Sequence, residues 1–503
     1  MNLRPTQGDR QRRVVGLWMA VAVTFGCLLT AGGSMTSTDG VVAFNVTQNL
    51  VEEGSVATSG GVIELPAYRG RGGRFYSPFG IAQSLWNLPF YLVGRAVQAA
   101  ITTRVGRTDT ITKAVVALGT VPAVALVAWS GFAILTMLGV SLRRAVVISV
   151  LLVFGTPLWP YSGFGFNQPL TGAFLWLAIL AAIAGTRHGV RMGPLVWCGI
   201  AAGAALLTRH EMMLAAGIIG AWIVIMGDGA RRGAATAYLS GFIPMMLIWG
   251  ALNWWRFGNP LESGYLRDPT PGYGSSVLTG ASGLLLSPYS SVFIYCPMAV
   301  LAIAAIPAFW RRDRSAASLM FAVAAGCFLL YASLQNWMGA RSYGPRYLVP
   351  ILPAIVLPLA FWTPARAWRW PVRFVILLSV LVQVPGVLVD YSKVREERAA
   401  AGETIAQDMR WSGMPLRLNA RASVQAFGRA VRHLSGAEAP PRIDPSDPRL
   451  SRAMTFSLDV WWIHLFYLGL IGPFAAVAIG ALTGAAAIAA FYRALSLTQN
   501  PRR

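Results

Sequence analysis

The chain has 503 residues, 55% of them hydrophobic and only 12% charged, with a mean hydropathy of +0.54 and a formal net charge of +22. A soluble protein carries roughly a quarter charged residues, so a soluble fold is excluded and an all-α polytopic membrane protein is expected. The basic residues are dispersed between apolar runs, which argues for topology and lipid phosphate as their partners and against nucleic acid.

Arginine carries almost all the positive charge, because Lys113 and Lys393 are the only lysines, so any phosphate recognition falls to guanidinium groups. The cysteines, Cys27, Cys198, Cys296 and Cys327, lie in or beside apolar runs at spacings that suit neither a metal site nor a disulfide framework.

At the N-terminus Arg10, Arg12 and Arg13 precede a long apolar run, which reads as an uncleaved first transmembrane helix. About twelve segments approach bilayer length: 14–34, 114–138, 145–161, 169–184, 194–207, 212–226, 235–255, 292–310, 316–334, 347–362, 372–389 and 465–491. The apolar stretch 79–100 contains Gln83, Asn87, Pro89 and Arg95 and reads as a helix lying at the membrane interface. Leaving it out, the arginine-rich short loops (Arg143/Arg144, Arg187/Arg191, Arg231/Arg232, Arg311/Arg312/Arg314, Arg366/Arg369/Arg373) and both termini fall on one side. That side is the cytoplasmic one. It holds only Asp9, Asp228 and Asp313 among the 20 acidic residues, and the remaining acids face outward.

The long polar loops, 35–113, 256–291 and 335–346, then face out of the cell, and so does the segment 390–459. The expected organisation is a multi-span domain over 1–389, a small extracytoplasmic helical segment over 390–459, and a final span with a cytoplasmic tail over 460–503. Within 390–459, Val424, Phe427, Val431 and Leu434 recur at helical spacing with Arg421, Arg429 and Arg432 around them, as in a basic amphipathic helix for a membrane surface.

The outward loops carry "STDGVVAFNVTQNLVEEG", "GRFYSPFGIAQSLWNLPFYLVGR", "NWWRFGNPLESGY", "GLLLSPYSSVFIYCP" and "NWMGARSYGPRYLVPILP". Their order and topology resemble the GT-C superfamily of integral-membrane glycosyltransferases, nearest to bacterial relatives of the protein mannosyltransferases and the lipid A aminoarabinose transferases. The resemblance implies a first outward loop that opens with an acidic residue and continues into interfacial helices. It also implies a sugar donor carried on polyprenyl phosphate, a bacterial plasma-membrane location and an extracytoplasmic acceptor that is lipid, glycan or protein. Where many relatives have two adjacent acids, this chain has Asp39–Gly40, and neither sugar nor acceptor is inherited from the resemblance.

Transfer from a lipid phosphate to a hydroxyl needs a carboxylate to accept the hydroxyl proton and cations where the departing phosphate gathers charge. Asp39 is the candidate base, although "STD" before "GVV" equally suits a helix N-cap. Arg341, Arg346 and Tyr347 in "ARSYGPRY", with Arg209 in "TRHEMM", are candidates for the donor phosphate. Their alternative is snorkelling to headgroups or a wetted turn. Arg74, Tyr76, Glu211, Arg256, Glu262 and Tyr265 are candidates for other substrate contacts, against loop-shaping roles. No metal ligand set is apparent, and a divalent cation is left open. The competing readings are an envelope transferase like the O-antigen ligases, using a diphosphate-linked donor, and a secondary transporter. The absence of a convincing internal repeat weakens the transporter.

Overall fold

The computed structural model describes residues 7–58, 67–105, 109–265, 274–339, 342–404, 409–441 and 457–499. It is a helical, multi-pass membrane architecture. Among the described residues seven helices are long and apolar enough to cross a bilayer: Gln7–Thr30, Thr110–Met137, Gln168–Thr186, Arg231–Phe257, Arg314–Ala332, Arg366–Leu388 and Pro473–Ser496.

The other expected spans are also helical but shorter or broken, for reasons the sequence holds locally. The helix Leu142–Phe154 ends at Gly155 ahead of Thr156-Pro157. Cys296-Pro297 divides a short Val292–Tyr295 turn from the helix Met298–Arg312. Prolines 350, 353 and 358 keep Arg346–Phe361 as alternating 3-10 and α-helical turns. Gly469, at positive φ, and Gly472-Pro473 separate Trp461–Tyr467 from Pro473–Ser496.

The stretch read as interfacial forms the helix Ala82–Val105 and is not among the seven crossing helices. Its polar side chains Gln83, Ser84 and Asn87 are buried against protein, whereas Leu85, Leu92 and Val93 are exposed. The all-helical expectation needs one correction. The first long loop folds a three-stranded antiparallel sheet, Ala57–Thr58, Phe75–Tyr76 and Tyr68–Arg69, with the Phe75–Tyr76 strand in the middle.

The interior is built on close helix approach. A Cβ added at Gly199 would lie 2.1 Å from the Tyr238 carbonyl, and one at Gly241 would lie 2.1 Å from that of Val196. The helices Met192–Thr208 and Arg231–Phe257 therefore cross backbone to backbone, which suits a setting where association rests on packing. The chain's two ends are joined as well: the Trp461 and Trp462 indoles donate to the carbonyls of Leu28 and Leu29, at 2.8 and 2.9 Å.

Side-chain contacts tie helix ends together at two places. At one, Arg187 pairs with Asp313 at 2.6 Å, and Arg312 donates to the Leu138 carbonyl at 3.2 Å. At the other, the ends near residues 39, 209 and 346 converge.

Candidate active site

Ser37 starts the helix Thr38–Glu52. Its hydroxyl accepts from the Gly40 amide at 3.1 Å and donates to the Phe164 carbonyl at 2.9 Å. Ser37, and not Asp39, is thus the N-cap. Gly40 lets this turn sit on the segment around Gly165, since a Cβ there would lie 2.6 Å from the Gly165 carbonyl oxygen. Asp39, relieved of capping, lies in the first turn with its side chain 7% exposed. One carboxylate oxygen is 3.9 Å from Arg209 Nη1 and the other 3.9 Å from Arg346 Nη1.

Arg209 occupies the extended residue where the helix Met192–Thr208 stops. Its Nε donates to Glu211 at 2.7 Å and its Nη1 to the Asn167 side-chain oxygen at 2.9 Å. Arg346 opens the 3-10 turns after Pro345. Gly339, at positive φ, makes room for it: a Cβ there would lie 2.9 Å from Arg346 Cγ. The Tyr347 ring stands between the two guanidiniums, 5.4 Å from that of Arg209 and 5.0 Å from that of Arg346. Tyr331 stacks on Tyr347 with ring centroids 5.3 Å apart.

Both arginines stay charged. Burial pulls each down, but Glu211 beside Arg209, and Tyr347 with Asp39 beside Arg346, hold them above the usual guanidinium value. Burial pushes Glu211 up, and the Arg209 charge more than offsets this, leaving its carboxyl below its ordinary value. The Nε of Arg346 and the hydroxyl of Tyr331 are buried with no protein partner among the described residues. A buried orphan donor is costly unless something binds it. Beside this cluster a cavity of about 290 Å³ is lined by Arg209, Glu211, Trp249, Tyr265, Tyr331 and Tyr347.

His210 lines the same cavity and acts as a strut. Its Nδ1 accepts from the Trp249 indole at 2.6 Å and its Nε2 lies 2.7 Å from the Pro78 carbonyl, which fixes the Nε2–H tautomer. Burial lowers its pKa to about 4, so the ring is neutral.

The sequence-derived candidates divide. Asp39, Arg209, Glu211, Tyr265, Arg346 and Tyr347 are brought together, and Arg341 lies outside the described residues. Arg256 is buried, but its guanidinium binds the Ser77 and Phe79 carbonyls at 2.9 and 3.1 Å and the Asn253 side chain at 2.7 Å, so it fastens the first loop. Tyr76 is buried in the small sheet with its ring on Phe257, and Arg74 beside it is exposed. Glu262 accepts from the Gly264 amide at 2.7 Å and shapes its own turn. Asn167, Trp249 and Tyr331 went unforeseen. "FNQP" at 166–169 offered a signal for Asn167, a polar break between apolar runs, while Tyr331 in a span and Trp249 in a long helix read as packing.

Among the described residues no group of three or more His, Cys, Asp or Glu converges. Asp39 and Glu211 both face Arg209, so the two carboxylates share one guanidinium.

No family model matches the sequence, and no curated protein matches it. The structure is similar to ArnT from Cupriavidus metallidurans in the apo state, with a TM-score of 0.47 and 16% identity over 96% of this chain and 77% of that one. It is similar to ArnT from the same organism bound to undecaprenyl phosphate, with a TM-score of 0.47 and 15% identity over 97% and 77% of the two chains. A third likeness is the archaeal oligosaccharyltransferase AglB from Archaeoglobus fulgidus, in complex with an inhibitory peptide and a dolichol-phosphate. There the TM-score is 0.43 and the identity 11%, over 89% of this chain and 59% of that one. The likenesses run through most of this chain.

Proposed function

We propose that the chain is an inverting membrane glycosyltransferase that moves a sugar from a polyprenyl-phosphate carrier to an extracytoplasmic hydroxyl. One observation carries the reading: a buried carboxylate held between two buried, charged guanidiniums, at helix ends that share one face, beside a cavity walled by aromatic rings.

In the reaction the acceptor oxygen attacks the anomeric carbon and its proton passes to Asp39 as the bond from that carbon to the carrier phosphate breaks. The phosphate leaves with the bonding electrons, and Arg209 and Arg346 take up the charge it gathers. Binding of the donor prepares this arrangement, because its phosphate competes with Asp39 for both guanidiniums and so releases the carboxylate to act as a base. The separations of 3.9 Å exceed hydrogen-bond distance and leave that exchange open. Trp249, Tyr265 and Tyr347 supply flat faces for a sugar ring, and the Tyr331 hydroxyl a donor. The segment that begins with Arg346 continues through Leu348 and Ile351 into an apolar groove of about 420 Å³, open to the surface, which suits an isoprenoid chain.

Replacement of either arginine by lysine tests the phosphate assignment. A point charge cannot reproduce the planar fork, and loss of charge-assisted hydrogen bonds worth about 1.5–3 kcal/mol predicts roughly 10- to 100-fold weaker binding of undecaprenyl phosphate by Arg346→Lys. Unchanged binding and turnover in both lysine variants would remove the arginines from the phosphate site.

A further inference from the structure

The helix Pro415–Leu434 is docked with its polar side inward. Asn419 donates to the carbonyls of Val389 and Pro385, at 2.6 and 3.3 Å, and Ser423 donates to that of Pro385 at 3.4 Å. Ala426, Ala430 and His433 complete the buried face. The apolar residues face away from the protein: Val424 is 75% exposed, Phe427 57% and Val431 48%. A water-facing amphipathic helix has the reverse arrangement.

The surroundings say what covers this stripe. Pro385 and Val389 are the end of the Arg366–Leu388 crossing helix, so the docked helix sits level with the rim of the membrane-spanning bundle. That crossing helix itself exposes Phe374, Leu377 and Leu381, as a lipid-facing span does. At about 100° per residue, Arg417 and Arg421, both exposed, lie along the edge of the Val424–Phe427–Val431 stripe farther from the docked face. Trp411, 65% exposed, stands just before the helix, and tryptophan favours the headgroup level.

We propose that Pro415–Leu434 is a membrane-surface helix, with Val424, Phe427 and Val431 immersed in the outer leaflet and Arg417 and Arg421 at anionic headgroups. The stripe then completes the lipid-facing belt at the rim, and the helix holds residues 409–441 down on the bilayer. This goes beyond the transferase reading and does not depend on it.

The test uses the full chain in phosphatidylglycerol–phosphatidylcholine vesicles, at less than one copy per vesicle. The native cysteines of the described residues are all buried, so single substitutions Val424→Cys, Phe427→Cys and Gln425→Cys can carry an environment-sensitive fluorophore. With lipids brominated along the acyl chain, the probes at 424 and 427 should lose about half of their emission or more, given immersion of ~5–10 Å. The probe at 425, displaced toward the arginine side, should lose much less. Probes at 424 and 427 that stay unquenched, or quenching no greater than at 425, would overturn the proposal. Burial of 424 and 427 only when copies are crowded would overturn it in favour of a contact between chains.

Discussion

At the scale of the residue, the site is defined by how Asp39 is released from a structural duty. The sequence suggests Asp39 as a cap, but Ser37 takes the role: its hydroxyl accepts from the Gly40 amide and also reaches the Phe164 carbonyl. The neighbouring strut, His210, yields a pH prediction. Its folded pKa of about 4 lies below the ordinary 6.5, so the native state excludes a proton that the unfolded chain accepts. Stability from this residue is present above pH 6.5 and is lost as pH falls from 6.5 toward 4. The melting temperature of the detergent-solubilised protein should therefore drop more between pH 7 and pH 5 in the wild type than in His210→Gln. Equal drops would show that His210 does not hold the loop as a neutral ring.

At the scale of the element, the glycines of the Met192–Thr208 and Arg231–Phe257 crossing fix how near Arg209 stands to its partners. Gly241→Ala places a methyl group against the Val196 carbonyl, which must move because the contact is with backbone. Overpacking of this kind costs about 1–3 kcal/mol, so a lower melting temperature is expected, with weaker transfer because the C-terminus that presents Arg209 shifts. An unchanged melting temperature would mean that the crossing is looser than described. Helix positions were legible in the sequence because apolar runs dominate it, and the breaks followed Pro and Gly. The sheet was not legible: its strands have two residues each, and their pairing is set by the loop's packing, not by alternation. The partners of Arg256 were not legible for a related reason. A sequence does not show which loop carbonyls will need a donor, and Ser77 and Phe79 lie far from Arg256 along the chain.

At the scale of the whole molecule, the arginine distribution predicts which helix ends share a side of the membrane, but it does not show which ends meet. Asp39, Arg209 and Arg346 come from loops more than a hundred residues apart and were singled out separately by type and place. Their convergence was not legible; Tyr331 and Trp249 became site residues only through it. Labelling tests the sidedness. Arg74 is exposed in the first loop, and the Asp228 side chain is 94% exposed just before the helix Arg231–Phe257, at an end the arginine count predicts to be cytoplasmic. In intact cells Arg74→Cys should react with an impermeant thiol reagent, and Asp228→Cys only after permeabilisation. The reverse pattern would turn the site to the cytoplasm.

The most direct test of the central claim is transfer of radiolabelled sugar from a polyprenyl-phosphate donor by Asp39→Asn, with Ser37→Ala as the capping control. Ser37→Ala should cost about 1 kcal/mol of stability. Asp39→Asn keeps the shape of the side chain and removes only its charge and its ability to take a proton, so it should fold and still bind the carrier lipid. General-base assistance is worth ~100- to 10,000-fold in rate, and a loss of turnover of that size is expected in Asp39→Asn. Transfer at the wild-type rate by a folded Asp39→Asn enzyme would contradict it.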